Sequence, residues 1–422
     1  MCEEYNTNFV EMKQSIKNID ASDSKNLHSY VERYLPPKSF EKKEFGEVFT
    51  PLTLVEEMLS AIEKHADKYF WKNPNMKILD PAAGIGNFPL IAFEKLMVGL
   101  TSKIPNKNKR KKHILENMLY MIELNPPNVR LMRKIFGGKK YKLNIVKGDA
   151  LDNKTYKQLL SLTGETELKF DIIMENPPYQ NGKNSNFYVY FIKAAKILLK
   201  PTGKLLFLTP NRFLIPDHLA NDALLQMNPV FAKHTVTDMK VSTIIGYFLA
   251  INESYEGKTL CAFESNKLKF INLHKPTPTS VSDYAVKKIS DKILSLKLSK
   301  LAFQSTKPSG DYIFIKRQWE RYSPSKPDGG GSHVFSVSEI EHDGRYLAVT
   351  SKKHKKWLIW YLTRCKVTRF ITAIYATSMN VPPFLWKSIP YPNKIEDMSD
   401  VMIIDEFALK PNEITVIDMI TK

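Results

Sequence analysis

The fold is decided by the stretch Ile78-Leu79-Asp80-Pro81-Ala82-Ala83-Gly84-Ile85-Gly86-Asn87-Phe88, which runs from a short apolar segment through a turn of small residues into a helical segment. Gly84 and Gly86 permit a tight turn, and the small side chains let a ligand approach the backbone closely. The G-x-G-x-x-G pattern of pyrophosphate sites is missing, because position 89 is proline. An acid at Asp80 would also repel a phosphate. The stretch therefore predicts a strand, a turn and a helix that suit a cationic, amino-acid-like ligand.

Short apolar runs and helical segments continue to alternate after this stretch. The predicted strands are Lys77–Leu79, Leu119–Ile122, Leu143–Val146, Phe170–Met174 and Leu205–Thr209. The predicted helices include residues 53–70, 87–98, 126–136 and 187–199. Such alternation is typical of an α/β fold, with a mostly parallel sheet and helices on both faces. Sheets of this kind bind ligands beyond the carboxyl ends of their strands.

Acidic side chains end the first three of these strands. Asp80 ends the first, Glu123 ends the second, and Asp149 follows the third in Gly148-Asp149-Ala150-Leu151. The Glu123 carboxylate can accept from both hydroxyls of a ribose diol, and Asp149 can accept from an adenine amine. An exposed loop acid is the alternative for each residue taken singly. Three acids at successive strand ends favour a single binding site.

The fourth strand is followed by Asn176-Pro177-Pro178-Tyr179, which can hold an exocyclic amine without deprotonating it. The Asn176 side-chain carbonyl accepts one N–H, and Pro177 offers its backbone carbonyl while the two prolines rigidify the turn. Tyr179 supplies a flat face on which a base can stack. An ordinary strand-ending turn is the alternative. The acidic strand ends upstream favour the amine site.

The composition is that of a soluble globular chain with room for two domains. Its 422 residues are 43% hydrophobic and 25% charged, with a net charge of +18. The positive excess favours a polyanionic partner, with surface lysines for solubility as the alternative. Cys2, Cys261 and Cys365 offer no metal-ligand spacing and indicate free thiols in a reducing compartment. Neither a membrane span nor a secretory signal is recognisable, so we expect a cytoplasmic protein with no membrane partner.

Most of the positive charge lies in one C-terminal region. Residues 256–393 contain 23 lysines and arginines against 10 acids, whereas the tail from 394 contains 3 against 7. We predict a loop at Ser323–Ser332 and a long helix near Lys352–Ile374. The basic run Lys107–Lys112 is predicted to be a solvated surface loop, with phosphate contact as the alternative. The candidates for phosphate contact in the C-terminal region, with a solvated helix end as the alternative, are Lys352, Lys353, Lys355 and Lys356.

Three motifs occur in a characteristic order: Phe45-Gly46-Glu47-Val48-Phe49-Thr50-Pro51, Asp80–Gly86 and Asn176–Tyr179. They resemble the first cofactor motif, the S-adenosylmethionine loop and the catalytic motif of the gamma-class N6-adenine DNA methyltransferases of restriction–modification systems. The resemblance implies a Rossmann-like methyltransferase sheet with helices on both faces, followed by a mixed α+β target-recognition domain. The implied divisions are an N-terminal helical arm (1–40), a methyltransferase domain (41–255) and a basic target-recognition domain with an acidic tail (256–422).

The resemblance implies S-adenosylmethionine as the cofactor and no required metal. The implied cofactor-binding residues are Phe49, Thr50, Pro51, Asp80, Ala82, Gly84, Gly86, Asn87, Glu123, Asp149 and Asn176. The implied catalytic residues are Asn176, Pro177, Pro178 and Tyr179. The target base would stack on Tyr179, with Phe213 as a candidate second aromatic clamp or, alternatively, a core phenylalanine.

The implied reaction transfers a methyl group from S-adenosylmethionine to N6 of a flipped-out adenine in duplex DNA. Methylation of RNA adenine or of cytosine N4 in DNA shares the amine chemistry and stays open, although asparagine rather than serine at position 176 favours adenine. Glutamine methyltransferases are commonly shorter and lack a long basic C-terminal region. A catalytically inactive DNA-binding specificity protein is the non-enzyme alternative. The expected partner is double-stranded DNA, with a separately encoded restriction endonuclease as a further candidate.

Overall fold

A computed structural model describes residues 49–421 except 138, 183, 240–242, 265–266, 322–332, 339–340, 342, 376–380 and 394–397. The predicted N-terminal arm, the predicted loop at Ser323–Ser332 and residues Phe45–Val48 lie outside the described residues. The chain divides into two compact units. The first consists of Met1–Pro210 and Ala223–Leu260, and the second of Asn211–Asp222 and Cys261–Lys422. The second unit therefore takes in a short segment, Asn211–Asp222, that precedes the predicted domain boundary at residue 255.

The first unit alternates strands and helices as its sequence predicts. Its helices are α1 (Leu52–His65), α2 (Asn87–Gly99), α3 (Lys107–His113), α4 (Pro126–Ile135), α5 (Asn153–Thr163) and α6 (Tyr188–Leu198). Its strands are β1 (Ile78–Asp80), β2 (Leu119–Glu123), β3 (Asn144–Lys147), β4 (Phe170–Glu175), β5 (Leu199–Pro210), β6 (Asn228–Lys233) and β7 (Ile245–Ile251). A 3₁₀ turn (Phe70–Lys72) and a π-helical turn (Ile114–Met118) complete it. The helix α7 (Leu219–Leu224) and the strand β8 (Thr259–Ala262) cross the division between the units.

The sheet of the first unit has the strand order β3-β2-β1-β4-β5-β7-β6. Its strands β1 to β5 are parallel, whereas β7 runs antiparallel to both β5 and β6. Both β1 and β2 are buried along their whole length, as expected for strands between parallel neighbours. The chain moves outward from β1 to β3 and then returns to place β4 on the other side of β1. The fold is thus α/β, and its strand order reverses between β1 and β4, which is where open sheets of this class bind ligands.

The predicted helix over residues 53–70 was too long at its carboxyl end. Helix α1 ends at His65, and Phe70 belongs to the following 3₁₀ turn. The Asp67 side chain accepts a hydrogen bond from the backbone N–H of Tyr69 at 2.9 Å. This local turn competes with further helical hydrogen bonds, which explains the early end.

The predicted loop at Lys107–Lys112 was wrong, because these residues form helix α3. Asn106 caps the helix by accepting from the backbone N–H of Lys109 at 2.9 Å. Arg110 is only 8% exposed, and its guanidinium donates to the carbonyl of Ile104 at 2.6 Å. The sequence predicted that the whole basic run is solvated, but the buried Arg110 guanidinium fixes the start of the helix through its hydrogen bond to Ile104.

The second unit contains α8 (Tyr284–Leu294), α9 (Lys352–Thr363), α10 (Lys366–Ile374), α11 (Leu385–Ser388), α12 (Asp400–Glu406) and α13 (Pro411–Thr421). Its strands are β9 (Leu268–Ile271), β10 (Tyr312–Arg321), β11 (His333–Ser338) and β12 (Gly344–Ala348). The last three form an antiparallel sheet in the order β11-β10-β12. A buried cluster that includes Trp357, Tyr361 and Phe370 forms its core. The unit is therefore a mixed α+β structure with its own core.

The single long helix predicted near Lys352–Ile374 was wrong, because α9 and α10 are separate helices. The break falls at Arg364 and Cys365. The backbone N–H of Lys366 donates to the side chain of Asp400 at 2.7 Å, which fixes the start of the second helix.

Across the described ranges of the chain, no helix combines the length and apolar character needed to cross a bilayer.

Candidate active site

A cavity of about 340 Å³ lies at the carboxyl ends of the parallel strands in the first unit. Loops that follow β1, β2, β3 and β4 all contribute to its wall. Its lining residues are Phe49, Thr50, Pro81, Ala82, Ala83, Gly84, Ile85, Asn87, Phe88, Glu123, Leu124, Gly148, Asp149, Ala150, Asn176, Pro177, Pro178, Tyr179, Gln180, Asn181, Gly182, Phe187 and Phe191. The glycine turn after β1 and the Asn-Pro-Pro-Tyr segment after β4 thus open onto one cavity.

Most of the sequence-predicted site residues meet at this cavity. Those that line it are Phe49, Thr50, Ala82, Gly84, Asn87, Glu123, Asp149, Asn176, Pro177, Pro178 and Tyr179. Pro51, Asp80 and Gly86 do not line it. Asp80 is 1% exposed and lies at the end of β1, whereas Gly86 supports the turn from its N-cap position on α2.

The turn after β1 needs glycine at two positions. Gly84 has φ of 55° and Gly86 has φ of 93°, a left-handed backbone that residues with a Cβ adopt at a cost. A Cβ on Gly84 would lie 3.3 Å from the Phe49 ring, so it would fill the space between the turn and that ring. The backbone N–H of Ala83 donates to the carbonyl of Ile122 in β2 at 3.0 Å. The turn is therefore held against the sheet while its small residues leave room for a ligand.

Glu123 ties the turn to the end of β2. Its Oε2 accepts from the backbone N–H of Gly84 at 2.8 Å, and its Oε1 accepts from the N–H of Asn125 at 2.7 Å. Each carboxylate oxygen can accept a second hydrogen bond. The side chain is 8% exposed and lines the cavity, where its carboxylate can meet a ribose diol. Asp149 is exposed at the same wall, where its Oδ1 accepts from the N–H of Leu151 at 2.9 Å.

Hydrogen bonds at Thr50 connect Asn176 with two other segments of the cavity wall. Its Nδ2 donates to the Thr50 hydroxyl at 3.1 Å. The Asn87 Nδ2, at the start of α2, donates to the Thr50 carbonyl at 2.8 Å. Three segments that are far apart in sequence therefore meet at Thr50, which is 4% exposed.

The Tyr179 ring is partly exposed at the cavity, while its hydroxyl is buried. The ring packs edge-on against the fully buried ring of Tyr188, with centroids 6.4 Å apart. Burial, and then the neighbouring Tyr188, raise the pKa of the Tyr179 phenol well above its ordinary value. Tyr179 is therefore a neutral phenol that presents an aromatic surface to the cavity.

Two buried carboxyls lie beneath the site, at the ends of adjacent strands. Glu175 is 0% exposed, and neither of its carboxyl oxygens has a hydrogen-bond partner among the described residues. Burial, and then Asp80, raise the pKa of the Glu175 carboxyl well above its ordinary value. Burial also raises the pKa of Asp80, although its Oδ1 accepts from the N–H of Ala82 at 3.1 Å. That hydrogen bond favours the charged form of Asp80, so we assign the proton to Glu175.

Leu124, Phe187 and Phe191 are among the apolar wall residues that the sequence analysis did not name as site residues. Phe187 and Phe191 lie one helical turn apart at the start of α6, with their rings edge-on at 5.7 Å. Leu124 follows Glu123 directly and is 54% exposed. The spacing of the two phenylalanines, just after the Asn-Pro-Pro-Tyr segment, was a usable signal. The sequence analysis assigns both phenylalanines to a predicted helix and not to the site.

Two further predicted groups lie in the second unit. Phe213 is 0% exposed, and its carbonyl accepts from Asn221 Nδ2 at 2.7 Å. This burial favours a core phenylalanine over an aromatic clamp. The predicted phosphate contacts all lie exposed in the first two turns of α9, which Ser351 caps, and they are Lys352, Lys353, Lys355 and Lys356.

The cavity fits S-adenosylmethionine in size and in the chemistry of its wall. Its volume is within the range of small-molecule sites, about 300–1,000 Å³. The space beside Gly84 would be closed by a Cβ, and Glu123 and Asp149 offer acceptors for hydroxyls and amines. Among the described residues, no group of three or more His, Cys, Asp or Glu side chains is arranged to hold a metal ion.

Comparison with known proteins supports this interpretation of the cavity. The model of a family described as N-6 DNA Methylase matches residues 34–202, a segment that contains all three motifs. This match supports an adenine-specific methyltransferase with S-adenosylmethionine as its cofactor.

The chain is also similar to individual proteins. An uncharacterized adenine-specific methylase from Mycoplasma pneumoniae is 26% identical, over 51% of this chain and 69% of that protein. The methyltransferase subunit of a type I restriction-modification system from Streptococcus thermophilus is 14% identical with a TM-score of 0.41, covering 67% of this chain and 60% of that one. The ATP-dependent Type ISP restriction-modification enzyme LlaBIII bound to DNA is 16% identical with a TM-score of 0.47, covering 71% of this chain and 27% of that one. The chain thus spans less than two thirds of the length of either solved structure.

Proposed function

We propose that the chain is a site-specific DNA methyltransferase that transfers a methyl group from S-adenosylmethionine to N6 of an adenine in duplex DNA. One observation carries the proposal: a single cavity joins the glycine turn after β1 to the Asn-Pro-Pro-Tyr segment after β4. A cofactor bound against the turn and an amine held by that segment would share one cavity. The match of residues 34–202 to the N-6 DNA Methylase model supports adenine as the base.

The residues of the cavity suit the cofactor from end to end. We assign the ribose diol to Glu123 and the cofactor adenine to Asp149 and the exposed side chain of Leu124. The methionine portion would lie against the small residues of the turn, Ala82 to Gly84, and against Thr50. Asp80, beneath the turn, would contribute its negative charge to a cationic amino group without touching it.

The chemical task of the catalytic segment is to make a poor nucleophile reactive. When bound, S-adenosylmethionine supplies a methyl group on a positively charged sulfur. The exocyclic nitrogen of adenine is weakly nucleophilic, because its lone pair is delocalised into the ring. If its two N–H bonds donate to the Asn176 side-chain oxygen and the Pro177 carbonyl, the nitrogen becomes pyramidal and its lone pair faces the methyl. The C–S bond of the donor would break as the N–C bond forms, which leaves a neutral thioether. The N–H made acidic by the arriving methyl would lose its proton to water, so we assign no separate general base. Positioning and electrostatics then supply the catalysis.

An adenine in a duplex cannot reach the cavity while it is stacked. We therefore propose that it flips out, at a cost of a few kcal/mol, and stacks on the Tyr179 ring. Phe187 and Phe191 offer a second apolar wall in the same cavity. The exposed lysines at the start of α9 are the proposed phosphate contacts of the second unit. A separately encoded restriction endonuclease is the proposed protein partner.

The test is to incubate the full chain with labelled S-adenosylmethionine and, separately, duplex DNA, single-stranded DNA and RNA. We expect label in duplex DNA and N6-methyladenine after digestion to nucleosides. Label in RNA adenine or at N4 of cytosine in DNA would contradict the proposed substrate and would support the corresponding alternative.

An inactive specificity protein would give a different pattern in the same experiment. It would bind duplex DNA without transferring label to any of the three substrates, and calorimetry with S-adenosylmethionine would show no binding. That outcome would overturn the proposed reaction while leaving DNA recognition in place.

A further inference from the structure

The contact between Thr50 and Asn176 concerns the orientation of the catalytic amide. An Asn side chain can rotate about its last bond, and its oxygen and nitrogen then exchange places. Only the oxygen can accept an N–H of the target amine. In the structure the Asn176 nitrogen donates to the Thr50 hydroxyl at 3.1 Å, so the oxygen is turned away from Thr50.

Thr50 is itself held rigidly enough to act as a fixed acceptor. Its side chain is 4% exposed, and its carbonyl accepts from Asn87 Nδ2 at 2.8 Å. The next residue, Pro51, has a restricted backbone, and its carbonyl accepts from Val55 at 3.0 Å to begin α1. Asn87 is 7% exposed at the start of α2. The position of the hydroxyl is therefore set by two helices of the first unit.

We infer that Thr50 is a positioning residue, whose hydroxyl fixes the Asn176 carboxamide so that its oxygen, and not its nitrogen, is the acceptor for the target amine. This inference rests on the proposed function. The cavity is lined by Thr50, Asn87 and Asn176. The hydrogen bonds from Asn87 and Asn176 to Thr50 therefore join the cofactor side of the cavity to its substrate side. The role differs from a direct contact with the methionine portion, because it acts on turnover through Asn176.

The two roles of Thr50 are separated by substitutions that change one feature at a time. Thr50→Val keeps the shape of the side chain but removes the hydroxyl, and it leaves the Asn176 amide without this acceptor. Thr50→Ser keeps the hydroxyl. Thr53→Val is the matched control, since Thr53 is exposed on α1 and does not line the cavity.

We expect Thr50→Val to lower kcat about tenfold or more, as a misplaced catalytic group does, with the Kd for S-adenosylmethionine within about twofold of wild type. Thr50→Ser should recover most of the loss in kcat, and Thr53→Val should behave as wild type. An unchanged kcat in Thr50→Val would overturn the inference. A raised cofactor Kd with unchanged kcat would do the same and would make Thr50 a cofactor contact only.

A second measurement does not depend on activity. The side-chain amide protons of Asn176, assigned by their loss in Asn176→Asp, should exchange slowly with solvent in the wild type and faster in Thr50→Val but not in Thr53→Val. Equal exchange in Thr50→Val and wild type would contradict the hydrogen bond and the inference. If the wild type exchanges slowly yet methylates no nucleic acid, the positioning contact survives and the proposed function fails.

Discussion

Glu175 combines complete burial with a carboxyl that has no hydrogen-bond partner among the described residues. Burial, reinforced by Asp80, raises its pKa above the ordinary value of 4.5. The folded protein then keeps the proton at a pH where the unfolded chain has lost it. Above about pH 4.5, the unfolded state binds fewer protons, so the free energy of unfolding falls as pH rises toward the folded-state pKa.

Glu175→Gln should remove this decline. Relative to wild type, the variant should gain stability as pH rises from 5 to 8, by up to about 1.4 kcal/mol per pH unit within the window. Urea unfolding across this pH range, without cofactor, measures the difference. Glu253→Gln, at an exposed position, should follow the wild-type curve. Parallel curves for Glu175→Gln and wild type would show that Glu175 is ionised in the folded protein.

At the scale of single residues, the sequence predicted which side chains accept hydrogen bonds in the site. It did not predict the hydrogen bonds that fix the positions of those side chains. Glu123 and Asn176 were predicted from their places at strand ends, and both line the cavity. The bond from Asn176 to Thr50 spans 126 residues, so no local pattern could indicate it. The burial of Phe213 was equally unreadable, because a phenylalanine after a strand fits a core and a cavity wall alike.

Helix α2 begins from a glycine whose backbone other residues adopt with strain. Gly86, its N-cap, has φ of 93°, and a Cβ there would lie 3.0 Å from the Phe136 ring. Gly86→Ala should lower the free energy of unfolding by about 1–2 kcal/mol, the cost of a left-handed residue with a side chain. It should also weaken binding of S-adenosylmethionine, because the turn carries the cofactor wall. Thermal unfolding with and without cofactor measures both effects.

Gly310→Ala is the control for that substitution. A Cβ at Gly310 meets nothing within 4 Å, and the residue does not have a left-handed backbone. Its unfolding temperature should therefore stay close to that of the wild type. A Gly86→Ala protein as stable as Gly310→Ala, with unchanged cofactor affinity, would contradict the role given to the turn.

At the level of elements, apolar periodicity predicted the parallel strands and most helices of the first unit. It failed where polar side chains decide the ends of elements. Asp67 ends the first helical region early, and Asn106 and Arg110 convert an apparent basic loop into α3. In the second unit, the break between α9 and α10 is fixed by the side chain of Asp400, 34 residues beyond Lys366.

The charge of the whole molecule predicts a salt-dependent interaction with DNA. Replacing Lys352, Lys353, Lys355 and Lys356 by alanine should weaken duplex binding. If all four lysines contact phosphates, the slope of log K against log salt should become shallower by about 3–4, or roughly 0.9 per contact. Fluorescence anisotropy over a range of salt concentrations measures the slope.

The matched control is a quadruple variant in the first unit. Lys103, Lys107, Lys109 and Lys112 are also exposed, so their replacement by alanine removes the same charge. We expect the control to retain the wild-type slope. If both variants lose the same slope, the binding reflects net charge, and α9 has no special role.

Substitution tests recognition better than truncation does for this molecule. The second unit includes Asn211–Asp222, whose side chains bond to residues far along the chain. Asn211 donates to the carbonyl of Thr279, and Asn221 donates to that of Leu273. A cut after residue 255 would remove both acceptors. The assignment of Asn211–Asp222 to the second unit could not be predicted from composition. The composition changes near residue 255 and does not distinguish the earlier segment from its neighbours.

The central claim is that Asn176 activates the target amine beside a bound methyl donor. The most direct test compares Asn176→Ala with wild type in cofactor binding by calorimetry and in methyl transfer to duplex DNA. We predict a Kd for S-adenosylmethionine within about twofold of wild type and a kcat lower by at least about 100-fold, the scale of losing one transition-state hydrogen bond. Asn153→Ala, at an exposed position on α5, should match wild type in both. An Asn176→Ala protein that methylates DNA at the wild-type rate would contradict the account.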